Sequence, residues 1–66
     1  MSKEAVFFIY LIERYAETKQ TTAHKVLEQW DSLNLTHFIY EMYEMYHVER
    51  LENAFDDIDK LILEKQ

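Results

Sequence analysis

The chain has no glycine, no proline and no cysteine in its 66 residues. Each absence removes a class of structure or chemistry. Without Gly or Pro, tight hairpins and sharp strand turns lose the residues that normally supply them. Helices tolerate such a composition, so an all-α fold is expected. Without Cys there are neither disulfides nor thiolate metal ligands. A Gly-rich loop that cradles phosphate is also excluded. Basic residues are scarce: seven Lys and Arg stand against thirteen Asp and Glu, a formal net charge of −6. That balance repels phosphate backbones, argues against general nucleic-acid binding and favours a basic partner. Long apolar runs are missing as well. Ala5–Ile12 (AVFFIYLI) is eight residues long, far short of the ~20 that span a bilayer. The chain shows neither the basic start nor the small-residue cleavage site of a secretion signal. It reads as soluble and cytoplasmic.

What the chain does have is aromatic and aliphatic bulk. In Phe38–Val48 (FIYEMYEMYHV), seven of eleven residues are aromatic, Met or Ile. Together with Ala5–Ile12 this is a large apolar load for one small domain, which residues 1–66 are expected to form. A domain of this size buries only about 60% of the surface its unfolded chain exposes. Its core typically supplies only roughly 3–5 kcal/mol without staples. Some of the apolar material is therefore expected to face a partner, either a second copy or a different protein.

Apolar spacing divides the chain into a small bundle of three to four short helices. The first is placed at about Lys3–Lys19, capped by Ser2, with Ala5, Phe8, Ile9, Ile12, Tyr15 and Ala16 inward. The polar run Thr18-Lys19-Gln20 ends it. Thr21 or Thr22 caps a second helix, Ala23 to about Ser32, whose stripe is Ala23, Val26, Leu27 and Trp30. A turn at Asp31–Asn34 follows, with Asn34 or Thr36 as the next cap. The third helix, about Leu35–His47, carries Leu35, Phe38, Ile39, Met42, Tyr43 and Tyr46 inward. A last stripe, Leu51, Ala54, Phe55, Ile58, Leu61 and Ile62, is out of phase with it. Continuing the third helix would put Glu49, Arg50 and Asn53 in the core. A break near His47–Glu49 removes the conflict, and His tolerates the left-handed region better than most residues. One long bent helix is the alternative.

No arrangement for catalysis is legible. Of Asp56, Asp57 and Asp59, only Asp56 and Asp59 share a helix side, and such clusters are usually solvated. Glu44 and His47 have the Glu-x-x-His spacing of di-iron bundles, but once rather than twice. With Glu41 and His37 nearby, the simpler reading is a solvated polar strip. Neither an enzyme activity, a metal nor a cofactor is expected. The second and third helices with their short turn resemble a helix-turn-helix in outline, yet the third has no Arg or Lys to present to DNA. Direct nucleic-acid binding is not expected.

The residues that fit a lone core poorly are Phe7, Tyr10, Tyr40 and Met45, which lie off the inner stripes. Contiguous apolar patches mark interaction sites. Tyr is favoured there because it is large yet keeps a polar tip, and Met adapts its shape. These four are the candidate protein-interaction residues. The acidic outer face of the last helix, Glu49, Glu52, Asp56 and Asp59, is a second docking candidate beside its plain reading as a solvated face.

The order of elements carries a resemblance. Ile12-Glu13 with Tyr15-Ala16, Thr22 to Leu27, Phe38 to Tyr40, Tyr46-His47 and Asp56 to Asp59 together resemble the short bacterial proteins of domain-of-unknown-function family 3791. Members are often encoded beside ADP-ribosyltransferase-like proteins. The resemblance implies a small antitoxin-like or regulatory partner of a co-encoded protein, and no catalytic residue. Many members have a Gly shortly after the position matching His47. This chain has none, so the expected break lacks that glycine. The leading expectation is a non-enzymatic helical protein-binding module. The alternatives are a homo-oligomer of structural role and a transcriptional regulator that touches DNA only within a larger complex.

Overall fold

The computed structural model describes residues 1–66. Five helices follow one another: α1 (Lys3–Thr18), α2 (Ala23–Ser32), α3 (Thr36–Glu41), α4 (Tyr43–Tyr46) and α5 (Leu51–Lys65). There is no strand. The fold is all-α, as the composition implies.

The expected caps open the first two helices. The Ser2 hydroxyl accepts from the Ala5 backbone N–H at 3.1 Å, and the Thr22 hydroxyl from that of Lys25 at 3.2 Å. Each satisfies one of the donors that a helix start leaves free. The ends of both helices solve the lack of Gly in the same way. Gln20 (φ 56°) and Asn34 (φ 60°) adopt the left-handed conformation. After α1, the Gln20 N–H bonds the Glu17 carbonyl and the Thr21 N–H bonds that of Ala16, at 3.1 and 3.0 Å. After α2, Asn34 bonds Asp31 and Leu35 bonds Trp30, at 3.1 and 2.8 Å. This is the paired Schellman closure, usually made by Gly. Asn34 therefore ends α2 instead of capping α3. Leu35 occupies the α3 cap position without a side-chain bond.

The expected third helix is divided at Met42, which leaves the helical conformation at ψ 12°. Its N–H bonds Ile39, one residue short of the α-helical partner, and its carbonyl accepts from Met45 and Tyr46. The break before α5 is real, and α5 starts at Leu51 after an extended Arg50. It needs no left-handed residue: His47 stays at φ −75°.

One core of twelve buried residues joins the elements. Trp30, Ala54 and Ile58 are wholly enclosed, and Leu11, Leu35, Ile39 and Tyr46 nearly so. The α1 contribution differs from the expected stripe. Leu11 with Tyr15, and Ile12 with Ala16, form two adjacent buried rows. Ile9 lies beside these rows, in line with the exposed Glu13 and Glu17, and is itself 47% exposed. Phe38, also expected inward, is an exposed residue of α3. Both corrections come from the side on which neighbours sit, which periodicity alone leaves open.

Candidate protein-binding surface

Two shallow hollows carry most of the candidate residues. The first lies between α1 and the end of α4 and is lined by Met1, Lys3, Val6, Phe7, Tyr10, Tyr43 and His47. Phe7 meets the Tyr43 ring edge-on, with centroids 5.6 Å apart. Tyr43 stacks face to face on His47 at 4.2 Å. The His47 Nδ1 lies 2.7 Å from the Tyr43 carbonyl, which fixes that ring. The spacing of four residues lets both contacts form on one helical side. Tyr10 is 51% exposed, and the Arg14 guanidinium lies 5.6 Å from its ring centroid.

The second hollow is lined by Phe8, Asp31, Asn34, Thr36, His37 and Tyr40. Tyr40 is half-buried against Phe8, with centroids 5.5 Å apart. Thr36 donates to the Asp31 carboxylate beside it. Met45 lines neither hollow and stands 56% exposed on α4. Of the four expected interaction residues, the structure brings Phe7 and Tyr10 together and sets Tyr40 and Met45 apart from them. Tyr43 and His47, which share the first hollow, stood in the sequence as an inner residue and a polar strip. Their four-residue spacing was the signal for that pairing.

The acidic face of α5 is less uniform than expected. Glu52 and Asp56 are exposed, but Asp59 turns toward the bundle. Its carboxylate accepts from the Tyr15 hydroxyl at 2.5 Å and from the Lys19 ammonium at 2.9 Å. Asp57 accepts from the Tyr46 hydroxyl at 2.6 Å. Burial pushes the Tyr15 hydroxyl well above the usual tyrosine range, and the bond to Asp59 and its charge add to this. Tyr46 moves the same way through burial, then the bond to Asp57, with the charges of Asp57 and Glu49 adding. Both phenols stay protonated and act as donors that tie α5 to α1 and α4. The Trp30 indole N–H, deep in the core, has no hydrogen-bond acceptor and sits among the rings of Phe8 and Tyr15.

The polar strip of α3 and α4 contains one close pair, His37 and Glu41 at 3.1 Å, both exposed. No group of three or more His, Asp or Glu side chains converges as metal ligands would. No helix is long and apolar enough to cross a membrane.

The family model described as "Protein of unknown function (DUF3791)" matches residues 6–65. The chain belongs to that family. The match runs from the first turns of α1 to the end of α5, so both hollows lie within the family's domain except for Met1 and Lys3. No curated protein and no solved structure matches the chain significantly.

Proposed function

We propose that this DUF3791 chain is a non-enzymatic protein-binding module that works through apolar side chains left uncovered by its small core. The observation that carries the reading is the α1–α4 hollow, where Val6, Phe7, Tyr10 and Tyr43 line one continuous surface. Val6 and Tyr10 are each more than half exposed there. Met45 and Val48, outside that hollow, are further exposed apolar residues at the C-terminal end of α4. Single exposed apolar residues are ordinary, whereas a joined set of aromatics marks a contact surface. The commitment of Asp57 and Asp59 to tyrosine hydroxyls supports a structural role for the carboxylates nearest the core.

The physiological role that the family resemblance implies is regulation or neutralisation of a co-encoded ADP-ribosyltransferase-like protein. Co-expression with that neighbour tests it. The expected result is a stoichiometric complex that survives gel filtration. Tyr10→Ala with Met45→Ala should weaken it by at least about tenfold, the loss of roughly 1.4 kcal/mol, at unchanged helicity. A double variant that binds as tightly as the parent sinks this surface assignment. Absence of any complex sinks the co-encoded partner.

A further inference from the structure

The outer face of α1 has a pattern that the core does not explain. Lys3, Val6, Tyr10, Glu13 and Glu17 follow one another at spacings of three, four, three and four, and all five are exposed. That alternation is the seam of a paired helix, with its two apolar residues between Lys3 and Glu13. The charges at its two ends have opposite sign. Arg14 and Glu17 already pair with each other at 2.7 Å. Lys3 and Glu13 form no ion pair within the chain.

We propose that this face is the seam of a two-fold homodimer in which the α1 helices of two copies pack antiparallel. Val6 of each copy lies against Tyr10 of the other, and Lys3 of each reaches the level of Glu13 of the other. The direction follows from charge. A parallel pair would set Lys3 on Lys3 and Glu13 on Glu13. The antiparallel pair centred between Val6 and Tyr10 sets each Lys3 opposite a Glu13, twice per dimer, as a two-fold interface requires. Tyr43 and His47, which share the hollow with Lys3, Val6, Phe7 and Tyr10, widen the contact beyond α1. Residues 3–13 of each helix overlap over about 16 Å. Such a face is at the low end of stable interfaces, so the dimer dissociates on dilution. Met45 and Val48 lie outside the seam and stay available to another protein.

This inference rests on the protein-binding reading: a second copy covers the α1 surface when the co-encoded partner is absent, and the two compete for Tyr10. Its test is the molar mass by light scattering between about 1 µM and about 1 mM, the span of weak association. The variants are Lys3→Glu, Glu13→Lys and the two together. The parent should pass from monomer to dimer within that range. Each single swap should weaken association about tenfold, because both cross-helix pairs become repulsive. The double swap should restore it. General repulsion between two acidic chains makes a different prediction: Lys3→Glu would weaken the dimer and Glu13→Lys would strengthen it. Lys3→Glu places an acid in the first turn of α1, where the helix dipole favours it, so loss of dimer by that variant is not loss of fold. Circular dichroism checks this for all three. A parent that stays monomeric throughout overturns the dimer but leaves the co-expression complex untouched. A dimer indifferent to the single swaps, or not restored by the double, overturns the seam.

Discussion

Two tyrosines at the edge of the core do work that hydrophobic residues alone would not. Tyr15 and Tyr46 bury their rings and spend their hydroxyls on Asp59 and Asp57. Removing one hydroxyl leaves the carboxylate to water, since Asp59 is partly exposed. Tyr15→Phe and Tyr46→Phe should therefore each cost about 1–2 kcal/mol in urea unfolding, at the lower part of the range for bonds to charged acceptors. A loss under a few tenths would show that water replaces the bond at no cost. The same hydroxyls set an alkaline limit. Their folded-state pKa values are raised, so in the folded state the phenols hold their protons to higher pH than in the unfolded chain. Their contribution is complete below about 10, the ordinary tyrosine value. It is lost as pH rises from there through the raised values, because the unfolded chain then binds fewer protons than the folded one. Stability measured from pH 9 to pH 12 should fall, and the double Tyr→Phe variant should fall less steeply. Equal slopes would contradict this assignment. The Tyr–Asp pairs were hidden in the sequence because they join residues far apart in the chain. Helical spacing put Asp56 and Asp59 on one outer side, but the direction of an aspartate is decided by the hydroxyl that reaches it.

At the level of the elements, a chain without Gly closes two helices with residues that pay for the left-handed region. Asn34 is suited to that conformation, since Asn adopts it more readily than most residues. Gln20 is not, and a non-Gly residue there carries roughly 1 kcal/mol of steric cost. Gln20→Gly relieves that cost but adds freedom to the unfolded chain, leaving a net gain of about 0.5 kcal/mol. Gln20→Val should lose about 1 kcal/mol or more. Thermal melts that fail to rank Gly above Gln above Val would mean that the Schellman closure is not what ends α1. The caps at Ser2 and Thr22 were legible because hydroxyl residues immediately precede apolar periodicity. The separation of α5 was legible because its stripe is out of phase with what precedes it. The division at Met42 was not. Leu35 to Tyr46 keep one helical period across it, so the sequence carries no phase change to betray the break. Past that break, α4 serves two neighbours: Tyr43 meets Phe7 of α1, and Tyr46 reaches Asp57 of α5.

For the molecule as a whole, the balance lies between a small core and a large apolar content. Twelve residues are buried, yet Val6, Tyr10, Phe38, Met45, Val48 and Leu63 remain exposed. The sequence made the surplus visible, because the bulky residues outnumber the places on the inner stripes. It set Tyr10 and Met45 outside the inner stripes, where they are exposed, but counted Ile9 and Phe38 as inward, since that depends on which side of each helix its neighbours occupy. A surface that binds only in the folded state couples association to stability. If α1 pairs with itself, unfolding must separate the two copies as well as melt each one. The melting temperature should then rise with protein concentration. A tenfold increase above the dissociation constant adds about 1.4 kcal/mol per dimer, or roughly 0.7 kcal/mol for each chain, and a domain this small shifts by about 4–8 °C for each kcal/mol. The expected rise is therefore several degrees per decade for the parent. For Lys3→Glu the rise should begin only at about tenfold higher concentration, and the Lys3→Glu, Glu13→Lys double variant should return it to the parent's range. A melting temperature that ignores concentration in all three would mean that the folded chain carries its apolar α1 face alone. The several exposed residues of that face would then be held in place by the core behind them and by nothing in front.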